Sequence, residues 1–156
     1  MTEQNLDHAQ VRVAPPMVFL GYLIGALILN WAVPFTEPWI SALRIMGGMI
    51  VVAGFLLAGL AVSQMMKLHT SPDPHQSVST LVTGGPYRFT RNPIYLGFFL
   101  IYLGITLLVG TLWGLIASPF LLLTITNAVI HAEETYLDGK FGEQYKEYRL
   151  RVRRWI

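Results

Sequence analysis

The residues able to do chemistry in this chain gather in two short stretches. The first reads Ser79-Thr-Leu-Val-Thr-Gly-Gly-Pro-Tyr-Arg-Phe-Thr-Arg-Asn-Pro-Ile-Tyr-Leu-Gly97. Gly84-Gly85-Pro86 forces a turn, and Asn92-Pro93 starts a helix, with proline in the first turn, where its missing N–H is no loss. Asn92 suits the N-cap. A helix start offers unpaired backbone N–H groups and a positive dipole end, here beside Arg88 and Arg91, and so an anion site. The same residues also read as a polar loop whose arginines mark a membrane surface. The second stretch opens with His131-Ala-Glu133-Glu134, directly after an apolar run. Ionisable groups at such a boundary bind substrates when they face a bundle interior; the plainer reading is the solvated end of a helix.

Other chemistries are excluded by what is missing. There is no cysteine, hence no disulfide, thiolate metal site, Fe–S cluster or covalent cysteine mechanism. His8, His69, His75 and His131 have no ligand spacing, and no metal is expected. A GxGxxG fingerprint, a P-loop and a GxSxG elbow are all absent, which removes a Rossmann domain and a serine nucleophile of that kind. The formal charge of +2 is too small for a nucleic-acid footprint, so the placement of the charges matters more than their sum.

Positioning these residues falls to apolar helices. Of 156 residues, 53% are hydrophobic and 13% charged, against about 25% charged in soluble domains, and the mean hydropathy is +0.49. Residues 13–36, 45–66 and 92–130 carry no Asp, Glu, Lys or Arg, in runs of 24, 22 and 39. A membrane-crossing helix takes about 20 apolar residues. The first two runs supply one crossing each, near 17–33 and 44–64. The third supplies two, near 94–109 and 112–130, joined by a turn at Val109-Gly110-Thr111; one long helix is the competing reading. Ten of the eleven Lys and Arg (Arg12, Lys67, Arg88, Arg91, Lys140, Lys146, Arg149, Arg151, Arg153 and Arg154) then fall on one side, and only Arg44 on the other. The positive-inside rule puts both termini and the 67–93 loop in the cytoplasm.

Small residues run through the second crossing, Gly47, Gly48, Ala53, Gly54, Ala58, Gly59 and Ala61, and serve close helix packing or a dimer face. Pro119 is expected to kink the fourth crossing, its freed carbonyl covered by a neighbour or by Thr124. Phe141, Tyr145, Tyr148, Val152 and Trp155 step by four and three, one apolar stripe on a helix. With its basic residues, this reads as an interfacial amphipathic helix anchored in lipid, or else lining the mouth of a site.

Taken together, Leu81-Val-Thr-Gly-Gly-Pro-Tyr-Arg-Phe-Thr-Arg-Asn-Pro-Ile-Tyr-Leu-Gly97, Glu133-Glu-Thr-Tyr-Leu137 and Phe141-Gly-Glu-Gln-Tyr-Lys-Glu-Tyr148 resemble the isoprenylcysteine carboxyl methyltransferase family and its bacterial and archaeal relatives. Phospholipid methyltransferases share the pattern. The likeness covers roughly 67–156. It implies an all-α integral membrane enzyme that uses S-adenosyl-L-methionine without a Rossmann domain: four transmembrane helices and a C-terminal interfacial amphipathic helix. The organisation it suggests is a cytoplasmic tail (1–16), two N-terminal transmembrane helices (17–66) and a catalytic part (67–156). The last divides into a cofactor loop (67–93), a helical hairpin (94–130) and an amphipathic segment (131–156).

By position, the resemblance assigns Ser79, Thr80, Leu81, Val82 and Tyr87 to the cofactor, with Arg91, Asn92, Pro93 and Tyr95 completing the pocket. Glu133 and Arg91 are the catalytic candidates, and Glu133, Glu134, His131 and Asn127 the substrate-side ones. The partners implied are a hydrophobic or lipid-like substrate from the bilayer and membrane lipids, with no nucleic acid and no metal; the oligomeric state stays open. Two departures stand out. Eukaryotic members have Arg-His-Pro where this chain has Arg91-Asn92-Pro93, and an arginine where it has Val129. The Arg-Asn-Pro form resembles the bacterial branch and implies the bacterial inner membrane. Carboxyl O-methylation and amine N-methylation both remain open. A sterol-reductase-type NADPH enzyme and a non-catalytic lipid-binding protein are the alternatives.

Overall fold

A computed structural model describes residues 8–156 except 10, 12, 36, 74 and 75. Arg12, His75 and most of the expected 1–16 tail lie outside the described residues. Every regular element among the described residues is helical: α1 (Pro15–Ala32), α2 (Pro38–Ala42), α3 (Arg44–Lys67), α4 (Pro93–Val109), α5 (Leu112–Ile125), α6 (His131–Phe141) and α7 (Glu143–Arg151). A 3₁₀ turn (Gly85–Arg88) precedes α4, and a π-helical turn (Thr126–Ile130) joins α5 to α6 without a break. The helices Pro15–Ala32 and Arg44–Lys67 and the run Leu112–Phe141 are long and apolar enough to cross a membrane; α4 is a shorter apolar helix of 17 residues, ~25 Å long. The expected break falls where the glycine is: α4 ends at Val109 and Gly110 takes the left-handed conformation at φ 78°.

Two groups of connections mark the two ends of the bundle. At one end, the Leu112 N–H donates to the carbonyl of Phe35 (3.3 Å) and the Trp113 indole to that of Val33 (2.9 Å). At the other, the backbone N–H of Arg91 donates to the carbonyl of Arg153 (3.0 Å). The 68–92 loop and the C-terminal segment thus meet at one end, as the charge distribution requires.

Apolar side chains gain nothing by leaving lipid for each other, so helices associate through close packing and hydrogen bonds. The packing is closest between α3 and α4. A Cβ on Gly54 would lie 2.7 Å from the Gly97 carbonyl oxygen, and one on Gly104 2.7 Å from that of Gly47. The two pairs, each spaced seven residues along its helix, face one another in antiparallel register and bring the backbones into contact. This is the close-packing role of the small residues; Gly59 on the outer face meets nothing within 4 Å. Around α4 the core closes with Phe19, Tyr102, Leu121, Ile125 and Val129. Tyr102 donates its hydroxyl to the Gly114 carbonyl (2.8 Å), and Tyr22 shares a hydrogen bond with Thr124 (2.7 Å).

Three local expectations are corrected. The carbonyl of Leu115, freed by Pro119, accepts from the Ser118 hydroxyl (2.8 Å), and Thr124 is occupied with Tyr22. Asn92 stands at the N-cap position but makes no side-chain cap; its amide donates to the Arg154 carbonyl (3.0 Å). The aromatic stripe does not lie on one helix in lipid. Gly142, at φ 52°, divides it between α6 and α7, and Tyr145, Tyr148 and Val152 are buried against Leu81, Leu137 and Phe141. An apolar face serves a protein partner as well as a lipid one, and here the loop before α4 supplies it.

Substituting Gly54 or Gly104 by valine should lower stability by about 1–3 kcal/mol or more, through overpacking against backbone that cannot yield. Gly59→Ala, in open space, should stay within about 0.5 kcal/mol of the parent. Thermal melts of the detergent-purified proteins compare them.

Candidate functional site

The C-terminal end of α3 turns at His69, whose backbone is left-handed (φ 53°), and the chain then passes over the end of the bundle. Ser79 bonds to Thr70 (2.9 Å) and donates to the His69 carbonyl (3.0 Å), which draws the two sides of this loop together. From α6, the Tyr136 hydroxyl accepts the Val78 N–H (3.2 Å), and the Lys140 ammonium donates to Ser77 (2.8 Å) and to Tyr136 (3.0 Å). The loop is therefore tied to the helix that follows the last crossing. The 3₁₀ turn places Tyr87 against Ala61 and Val82, and the Tyr148 hydroxyl donates to the Tyr87 carbonyl (2.7 Å).

These ties enclose a cavity with about 850 Å³ of space, its open mouth included. From the first stretch it is lined by Thr80, Leu81, Val82, Tyr87, Arg91, Asn92, Pro93 and Tyr95, and from the second by Glu133 and Glu134. Both stretches thus meet in one site. Ser79 lies outside the lining, occupied in holding the loop. Asn127 and His131 are exposed and do not reach the cavity, since residues two and six positions before Glu133 lie on another face of the helix; Val129 and Ile130 are buried. Arg88 is exposed as well and adds nothing to an anion site.

The remaining wall comes from Ala9, Met65, Val78, Ile94, Leu137 and residues 70–73, and from Tyr136, Tyr145 and Tyr148. The aromatic stripe was the available signal for Tyr145 and Tyr148, and the lining of a mouth was one of its two readings. Ala9 and Thr70 carried no sequence signal.

Electrostatics divide the cavity. Glu133 accepts a hydrogen bond from the Tyr95 hydroxyl. Glu134 is held by two arginines: Arg154 grips it with both carboxylate oxygens (Nε–Oε1 3.0 Å, Nη2–Oε2 2.6 Å), and Arg91 Nη2 lies 3.1 Å from Oε1. The other two nitrogens of the Arg91 guanidinium, Nε and Nη1, are buried and unpartnered. The helix start offers less than expected, since the Asn92 N–H is bonded to Thr90 Oγ1 (3.2 Å) and Pro93 has no N–H. Among the described residues that line the cavity, Arg91 is the one with a cationic side chain. Burial pushes the Tyr87 hydroxyl up, with Tyr148 and Glu133 adding to it, and burial likewise raises Tyr148. Burial, helped by Glu134, takes Tyr145 to about 12. Among the described residues no group of three or more His, Asp or Glu is placed to hold a metal ion.

A family described as phospholipid methyltransferase matches residues 42–144, from α2 into α7. The chain belongs to the phospholipid methyltransferase family. The match spans α3, the loop, α4 and both glutamates, which supply most of the cavity wall; Ala9, Tyr145 and Tyr148 lie outside it. Among proteins it is similar to, the protein-S-isoprenylcysteine O-methyltransferase of Schizosaccharomyces pombe is 38% identical over 72 residues, 46% of this chain and 30% of that protein. The protein of the same name from Dictyostelium discoideum is 25% identical over 148 residues, 94% of this chain and 61% of the other. An uncharacterised protein of Haemophilus influenzae is 40% identical over 63 residues, 40% of this chain and the whole of its own length. The chain spans less than two thirds of the length of those two isoprenylcysteine methyltransferases.

A raised tyrosine pKa ties folding to alkaline pH. The neutral hydroxyl is favoured in the folded state, so the unfolded chain loses its proton first, from about pH 10, and stability falls as pH rises. That contribution of Tyr145 is whole below pH 10 and is lost as pH rises through about 12. The melting temperature in detergent should decline across this window, and less steeply in Tyr145→Phe.

Proposed function

We propose that the chain is an S-adenosylmethionine-dependent methyltransferase acting at the cytoplasmic membrane surface, on a lipid-like acceptor that enters from the bilayer. Family membership supports the reaction class. The observation that carries the cofactor is Arg91, which lines the cavity and whose guanidinium Nε and Nη1 are buried without a partner in the protein. A buried donor without a partner costs about 1–3 kcal/mol, and a ligand carboxylate removes that cost through a charge-assisted bond.

When bound, S-adenosylmethionine supplies a methyl group made electrophilic by its sulfonium. The rest is the work of the chain. Arg91 holds the ligand's carboxylate. Thr80, Leu81, Val82 and Tyr87 form the wall against which the ligand's body lies, and Asn92 and Pro93 fix the start of α4 beside it. Tyr95 orients the carboxylate of Glu133, which faces the acceptor. Methyl transfer is an in-line displacement that needs no covalent nucleophile, in keeping with a chain without cysteine. Alignment alone can contribute roughly 7–11 kcal/mol, and a cavity walled by residues 70–73, by Val78 and by Tyr145 and Tyr148 of α7 limits the water at the line of attack.

Val129 is fully buried in the core, where the eukaryotic family members carry an arginine. The proposal therefore does not extend to the carboxylate of a prenylcysteine; it leaves both oxygen and nitrogen acceptors in play. The charge distribution supports a cytoplasmic site and cytoplasmic termini, and the Arg-Asn-Pro form supports a bacterial inner membrane.

Purified protein should bind radiolabelled S-adenosylmethionine saturably and pass label to a lipid extract. Arg91→Ala should weaken binding about ten- to a hundredfold, the worth of hydrogen bonds to a charged group. Glu133→Gln should bind nearly normally and lose most of its turnover. Parental binding and turnover in both variants would remove these roles.

A further inference from the structure

Arg154 is not among the residues that line the cavity, yet it meets the site at several points. Its side chain takes both oxygens of Glu134. Its carbonyl accepts from the Thr90 hydroxyl (3.0 Å) and the Asn92 amide (3.0 Å), and the carbonyl beside it, of Arg153, accepts the Arg91 N–H (3.0 Å). Residues 153 and 154 thus join the start of α4 to α6 across the back of the site.

A guanidinium has two edges that can receive a carboxylate two-pronged, Nε with Nη2 and Nη1 with Nη2. Glu134 touches Arg91 through Nη2 alone, because its second oxygen is held by Arg154 at 2.6 Å. Released from Arg154, that oxygen would turn to Arg91 and claim Nε or Nη1, one of the two nitrogens now free. The side chains of Arg91 and Glu134 are each only 12% exposed, so water competes poorly for the pair and the two-pronged form would prevail.

We infer that Arg154 is a positioning residue. By occupying Glu134 it keeps Arg91 a one-point partner of that glutamate, so that Nε and Nη1 both stay without a protein partner and either can pair, together with Nη2, with the carboxylate of the bound ligand. This rests on the reading of the site given above.

The test compares binding of S-adenosylmethionine and of its decarboxylated analogue to the full chain in detergent. The parent should favour the carboxylated probe. Arg154→Gln should lose about tenfold in affinity for that probe and change little toward the analogue. The double variant Glu134→Gln/Arg154→Gln has no anion left to seize Arg91 and should regain most of the lost affinity. A merely structural role would weaken both probes alike and leave the double variant no better than the single one. Either of those results overturns the inference, as does an Arg154→Gln protein that binds like the parent. A parent that binds neither probe, or both equally, refutes the carboxylate site itself, and the inference falls with it.

Discussion

Lipid gives two apolar helices no reason to leave it for one another, so the approach of α3 to α4 depends on surfaces that match. The glycine pairs 47/104 and 54/97 bring the backbones into contact, where dispersion and weak Cα–H···O contacts accumulate without side-chain entropy to lose. Everything at the functional end is measured from this interface. α3 carries Ala61 and Met65 to the back of Tyr87. α4 carries Tyr95 to the wall of the cavity, and Arg91 and Asn92 reach it from the residues just before that helix.

The site itself is made of connections rather than crossings. Its loop has little regular structure and is held by hydrogen bonds from residues far along the chain, chiefly Tyr136, Lys140 and Tyr148. Backbone that is neither helix nor sheet needs such partners where water is scarce. The same bonds that satisfy the loop also shape the cavity, so loop order and site geometry are one property.

The elements were readable from the sequence because charge-free runs of 22 and 39 residues have few other physical meanings, and because Gly110 and Asn92-Pro93 mark ends of helices by their backbone preferences alone. The meeting of the two polar stretches followed from counting crossings. What faces what was harder. Tyr145 and Tyr148 showed an apolar face without its partner, since lipid and protein interior reward the same side chains. Asn127 and His131 are near Glu133 along the chain, but residues two and six apart on a helix do not share its face, and both lie exposed. The Arg154–Glu134 pair joins positions twenty apart whose side chains gave no sign of preferring each other over solvent. The small residues of the second crossing marked a face for close packing or for a dimer, but did not name its partner; the matching spacing of Gly97 and Gly104 becomes meaningful only in the structure.

The wide turn at Thr126–Ile130 has a consequence for the long helix that contains it. It uncouples the angular setting of the part in the bilayer from that of the part bearing the two glutamates. A regular helix advances about 100° per residue, so shortening this turn by one residue would swing Glu133 and Glu134 by roughly that angle, away from Arg91 and Tyr95, while α5 kept its seat against α1. A single residue at this turn therefore decides whether the end of the helix that bears the two glutamates looks inward or out.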